Sequence, residues 1–106
     1  MLFKPHHVSL ILARKKIASR RIWVKPMAKV GAVHKAKLVM LSEDYFAKIR
    51  ITEVFKQPLG EMTEADAREE GHKTLHDYKR EFLELNDVWD DDHIVTVVKF
   101  DLQEEQ

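Results

Sequence analysis

Apolar and polar positions change period several times along the chain, and each change marks an element. In "KPHHVSLILARKK", Val8, Leu10, Ile11 and Leu12 cluster after Pro5 and end among cations. Proline suits a first helical turn and cations suit a last one, so the segment predicts a short helix of about two turns. From Ser19 the period drops to two. "SRRIWV" predicts a strand with Ser19, Arg21 and Trp23 on one side, Arg20, Ile22 and Val24 on the other, and Pro26 closing it. Gly31 predicts a turn. "HKAKLVML" and "YFAKIRITEVF" predict two strands joined through "SED", with a bulge where alternation slips near 47–49.

"PLGEM" reads as a turn, and two helix starts follow. Thr63 precedes Asp66 by three residues and Gly71 ends that segment; Thr74 precedes Asp77 in the same way. In the second helix Leu75, Tyr78, Phe82 and Leu85 form one apolar stripe. "NDVWDDD" predicts a loop, "HIVTVVKFDL" a closing strand, and "QEEQ" a solvated tail. The order of helix, three strands, two short helices and one long strand predicts an α+β fold. Its mostly antiparallel strands curl into a small β-barrel with the helices against it.

Composition narrows the setting. The 106 residues, 44% hydrophobic and 34% charged, fit one globular domain spanning 1–106, with a monomer favoured. The absence of cysteine excludes disulfides, thiolate zinc sites and cysteine nucleophiles, and fits a reducing cytoplasm. No signal peptide or membrane span is expected, since "VSLILA" is short and flanked by histidines and cations. The net charge of zero conceals a division: residues 1–57 carry 13 Lys or Arg against 3 acids, and residues 58–106 carry 5 against 15. Such halves either present a phosphate-attracting positive face or neutralise each other across the domain.

Candidate chemistry centres on "RKKIASRR", residues 14–21. Lys16 precedes Ser19 by three residues, and Arg21 shares the side of Ser19. Such a trio can hold a phosphate or carboxyl-like group, or a partly desolvated lysine can take the serine proton; a solvated basic run is the plain alternative. "DAREEG" at 66–71 adds Glu69 and Glu70, a carboxylate supply that would complete an acid–base set if folded close. Trp23 is placed to stack on a base or to close the barrel rim. Lys35, Lys37, Lys48 and Arg50 on neighbouring strands can extend a phosphate-tracking surface. No metal site or cofactor is expected. His6 and His7 are adjacent and point different ways, a helix boundary separates His72 from His76, and "DDD" at 90–92 lacks the spacing of a calcium loop.

Taken together, "RKKIASRR", "DAREEG" and "TLHDYKREF" at 74–82 resemble the ASCH family, relatives of the PUA RNA-binding fold. That family carries G-x-K-x-x-T-x-R after its first helix, then an acidic DA-x-x-E-G helix and an aromatic-bearing helix. The resemblance runs through nearly the whole chain, including "LFKPHHVSLIL" and "VTVVKFDL", and is to the short single-domain members. It implies a PUA-like β-barrel with a cleft lined by Lys16, Ser19, Arg21 and Glu70, binding RNA or a nucleotide. One branch hydrolyses N4-acetylcytidine. Carried over, Lys16 would activate Ser19, Glu70 would exchange protons with the leaving amine, and Arg21 would orient the pyrimidine or stabilise developing charge. A ribonuclease using Lys16 and Glu70, and a protein-interaction module, are further readings. Three positions depart from the pattern: Ser19 stands for threonine, Phe82 for tryptophan, and Arg14 for glycine. If that glycine supplies a positive φ or an open backbone, Arg14 adds strain or fills the cleft, and in either case adds charge toward a phosphate.

Overall fold

The computed structural model describes residues 1–103, so residues 104–106 of the expected tail lie outside it. A 3₁₀ turn at Pro5–His7 leads into helix α1 (Val8–Leu12). Strands β1 (Ala18–Arg21), β2 (Val33–Ala36) and β3 (Ala47–Pro58) follow. Helices α2 (Glu64–Glu69) and α3 (Leu75–Asn86) come next, and β4 (Ile94–Gln103) closes the fold. Both predicted helix starts are present. Thr63 and Asp66 form a reciprocal capping box, and the Thr74 side chain accepts the Asp77 backbone N–H.

The strands make one antiparallel sheet in the order β1-β4-β3-β2. It is a curled half-barrel and does not close, because the edge strands β1 and β2 are four residues each and do not pair with one another. Instead the N-terminal segment lies along the end of β2: Phe3 N–H donates to Lys37 O at 2.9 Å, and Lys37 N–H to Met1 O at 2.8 Å. That pairing is also why β2 is shorter than predicted, since Lys37 leaves β3 for a parallel bridge with Leu2. Strand β1 likewise stops at Arg21 and does not run to Val24. The bulge falls at Thr52, not near 47–49; Ala47, Ile49 and Ile51 keep strict alternation into the core, and the register shifts between Ile51 and Glu53.

Strand β4 is buried on both faces, which explains its run of valines. Val98 and Phe100 join Phe3, Ile11, Ile49 and Ile51 inside the half-barrel. Val95 joins Leu59, Met62, Ala67, Tyr78 and Phe82 beneath α2 and α3. Of the predicted stripe on α3, Tyr78 and Phe82 are buried, whereas Leu85 is 50% exposed. Among the described residues no helix is long and apolar enough to cross a membrane.

Gly71 ends α2 at φ +92, and a Cβ there would lie 3.1 Å from Leu10 Cδ1 and 3.3 Å from Lys16 Cβ. The glycine lets the end of α2 sit directly against Lys16. Gly71→Ala is expected to lower stability by about 1–2 kcal/mol from the left-handed backbone alone, plus a contact penalty. Urea titration beside Gly31→Ala checks it, since Gly31 has φ +90 but nothing within 4 Å. Equal losses in the two variants would remove the packing role given to Gly71.

Candidate functional site

A cleft of about 470 Å³ opens beside the edge strand β1. The N-terminal segment, the chain from Lys16 through β1, the end of α2 and helix α3 build its wall. Lys16 lies in the turn before β1, fixed by Ile17 N–H donating to Glu69 O at 2.8 Å. Its Nζ donates to Glu70 Oε1 at 2.8 Å, Ala18 O at 2.9 Å and Glu70 O at 3.2 Å. Lysine and glutamate side chains are each 3% exposed. Ser19 is buried, and its Oγ accepts Arg21 Nε–H at 2.8 Å. The Arg21 guanidinium lies 4.8 Å over the Phe3 ring. Burial pulls the Arg21 pKa below its ordinary value, against the attraction of Glu70 and Tyr78. Among the described residues no carboxylate forms an ion pair with Arg21.

The four residues that the family motif singles out, Lys16, Ser19, Arg21 and Glu70, therefore all line one cleft. Arg20 was assigned by alternation to the opposite side, and it does lie on the helix face, in register with Val97. Its side chain nevertheless joins the site. Arg20 Nη1 donates to Glu70 Oε2 at 2.9 Å and Nη2 to Gln57 Oε1 at 3.0 Å, with Asp66 3.6 Å away. Among the described residues its buried Nε has no hydrogen-bond partner. Its acidic partners Asp66 and Glu70 both belong to the "DAREEG" segment, which is the signal the sequence offered. Alternation placed Arg20 on the correct face; what it could not show is that α2 brings Glu70 and Asp66 to that face.

The remaining expected site residues lie elsewhere. Arg14 is exposed and does not line the cleft; its φ of 59° is the left-handed conformation that a glycine there would supply. Of the two expected consequences, strain is present and obstruction is not. Trp23 packs against the half-barrel core and lies outside the cleft lining. The cleft aromatics are Phe3, Tyr78 and Phe82. Burial, reinforced by Glu70, raises the Tyr78 hydroxyl well above its ordinary range. Lys35 and Lys48 are directly opposed across β2 and β3, both near the Tyr45 ring (5.2 and 5.7 Å). Arg50 Nη1 donates to Gly31 O, and Lys37 Nζ to Ser42 O. These four belong to the β2–β3 hairpin and not to the cleft wall.

Sequence reading also missed a histidine cluster at the cleft's other end. His6 and His7 do not diverge: both Nε2 atoms meet Glu81 Oε1, at 2.7 and 2.9 Å, and His72 Nε2 contacts Glu81 Oε2. The 3₁₀ turn after Pro5 is tight enough to bring the two rings within 4.2 Å of one another. Burial, with Lys16 adding to it, pushes the His7 pKa down to about 4. Burial alone would raise Glu81, but the His6 hydrogen bond and the charges of His7 and His72 outweigh it and hold the carboxyl below its ordinary value. The acidic loop is structural: Asp91 O accepts Gly60 N–H at 2.9 Å and Asp91 Oδ1 accepts Trp89 Nε1–H at 2.8 Å.

This arrangement of a curled antiparallel sheet with three short helices is the α+β fold of ASCH domains. Two solved structures carry the likeness. One is an ASCH domain from Lactobacillus crispatus JV V101, at TM-score 0.68 and 23% identity, covering 90% of this chain and 69% of that one. The other is protein EF3133 from Enterococcus faecalis V583, of family DUF984, at TM-score 0.67 and 17% identity, covering 92% of this chain and 67% of that one. No family model and no curated protein matches the sequence.

Proposed function

We propose that the cleft binds a nucleotide or a single base of RNA, with Arg21 as its principal ligand-facing cation. The observation that carries this reading is the convergence of Lys16, Ser19, Arg20, Arg21 and Glu70 on one cleft, facing Phe3 and Tyr78. A volume of about 470 Å³ falls within the about 300–1,000 Å³ usual for small-ligand sites. Its mixture of apolar wall and a few fixed polar groups suits a planar, hydrogen-bonding ring. The likeness to an ASCH domain is compatible with RNA. On the β2–β3 hairpin, Lys35 and Lys48 oppose one another directly beside the Tyr45 ring, a basic pair that a polyanion can contact. Lys37 and Arg50 extend this basic surface, for phosphates flanking the bound base.

The second reading is an amidohydrolase on N4-acetylcytidine-like nucleosides, with Lys16, Ser19 and Glu70 as catalytic residues. The buried 2.8 Å contact between Lys16 and Glu70, beside Ser19, favours it. What ranks it second is hydrogen-bond direction. All three N–H bonds of Lys16 already have acceptors, and the Ser19 oxygen already accepts from Arg21. Lys16 would have to pass a proton to Glu70 and turn the freed lone pair toward Ser19 before it could take the serine proton.

One pair of measurements separates the readings. Anisotropy with a fluorescent single-stranded RNA should show affinity falling with salt, with a log–log slope of about −0.7 per phosphate contacted. Affinity that ignores salt, or no binding at all, overturns RNA as the ligand. Incubation with N4-acetylcytidine reads the alternative: cytidine released by wild type and not by a folded Ser19→Ala would make the enzyme reading the correct one.

A further inference from the structure

We propose that His6, His7 and Glu81 bind a zinc-class divalent ion at the mouth of the cleft, with His72 holding Glu81 from its other oxygen. The site stands on its own geometry, independent of what the cleft binds. One ligand atom from each of His6, His7 and Glu81 lies within 4.8 Å of the other two. These side chains come from two elements, the 3₁₀ turn and α3, so their meeting is a tertiary arrangement and not a consequence of sequence adjacency.

Donor chemistry selects the ion. Two imidazole nitrogens and one carboxylate oxygen form the set found in catalytic zinc sites, which leave a fourth position open. Magnesium and calcium prefer all-oxygen surroundings, so a site with two nitrogens discriminates against them. Zinc bonds of about 2.0–2.1 Å require ligand atoms roughly 3.3 Å apart in a tetrahedron. The present spacings of 2.7 and 2.9 Å to Glu81 Oε1 are hydrogen bonds, and each opens by only about half an ångström to admit the ion. The hydrogen now shared between each Nε2 and Oε1 moves to Nδ1, or to solvent if the ring is charged, leaving a lone pair on each Nε2.

Surroundings fit the same role. His72 contacts Oε2, the carboxylate oxygen that the two other rings leave free. A partner of that kind fixes the orientation of a metal-bound carboxylate. Burial is graded from outside in: the His6 side chain is 60% exposed, while those of His7 and Glu81 are 12% and 16% exposed. An ion can thus enter past His6 and rest against a largely enclosed pair. His7, His72 and Glu81 line the cleft that also holds Lys16 and Ser19, so an open coordination position would face bound ligand.

The test uses untagged protein titrated with Zn²⁺ by calorimetry, and with Co²⁺ followed by visible absorption. The expected result is one ion per chain and the visible spectrum of four-coordinate Co²⁺. His72→Ala should weaken Zn²⁺ binding by about 10- to 100-fold, the usual cost of losing an outer-shell partner. His6→Ala should weaken it at least as much, and since His6 is mostly exposed this variant keeps its fold. His76→Ala, at an exposed histidine outside the cluster, should change nothing. No Zn²⁺ uptake by the folded wild type, or uptake that His6→Ala leaves unchanged, overturns the site.

Discussion

Replacing Glu70 with alanine is expected to lower the unfolding free energy by about 3–5 kcal/mol, the cost of removing one partner from a buried ion pair. The magnitude follows from what the carboxylate holds. Oε1 accepts from Lys16 at 2.8 Å and Oε2 from Arg20 at 2.9 Å, and the three side chains are 2–3% exposed. Without Glu70, two cations face each other in a site that water scarcely enters. Asp66, 3.6 Å from Arg20, compensates one of them only in part. Lys16→Met should cost less, because it leaves Arg20 opposite Glu70 and replaces the amine by an apolar group of similar length. Urea titrations of the two single variants and the double variant measure this directly. A loss below about 1 kcal/mol for Glu70→Ala would put the pair in the range of surface salt bridges and contradict its burial. The consequence for function is practical: an inactive Glu70 variant identifies a catalytic carboxylate only if its melting curve shows that it is folded.

Arg21→Ala is expected to weaken nucleotide or RNA binding by about 10- to 100-fold, corresponding to about 1.5–3 kcal/mol for hydrogen bonds made by a charged group. Arg21 differs from its neighbours Lys16 and Arg20 in being paired with no carboxylate among the described residues. Its Nε is anchored on Ser19, which aims the planar fork, and Phe3 supports the guanidinium from one side. Ser19→Ala removes that anchor but leaves the fork's own bonds to the ligand, so its expected loss is smaller, about 2- to 10-fold. Arg21→Lys keeps the charge and loses the bidentate geometry, and should fall between wild type and Arg21→Ala. Anisotropy on the four proteins at one salt concentration gives the order. Wild-type affinity in Arg21→Ala would remove this residue from the ligand-facing role and move the binding surface to the β2–β3 hairpin.

Local chemistry made much of this molecule legible before any tertiary structure. Thr63 with Asp66 and Thr74 with Asp77 announced α2 and α3 because capping acts within four residues. Gly71 announced the end of α2 because a positive φ favours the residue without a Cβ. Alternation announced β3 because that strand hides one apolar face. Other positions depended on remote partners. Lys37 leaves β2 because the N-terminal segment takes its backbone hydrogen bonds, and the bulge falls at Thr52 because Ile49 and Ile51 must both reach the core. Trp23, beyond the end of β1, packs on the half-barrel core, in keeping with the barrel-rim reading and not with the cleft.

The site divides along the same line. The sequence by itself determined its chemical content: Lys16, Ser19 and Arg21 in one short motif and Glu70 at the end of an acidic helix. Only the tertiary structure decided how those groups combine, bringing Glu70 onto both Lys16 and Arg20, and folding His6, His7 and His72 onto Glu81. The physical reason is range. Caps, turns and strand period are set by neighbours a few residues away, whereas the partner of a buried charge is set by which elements pack together.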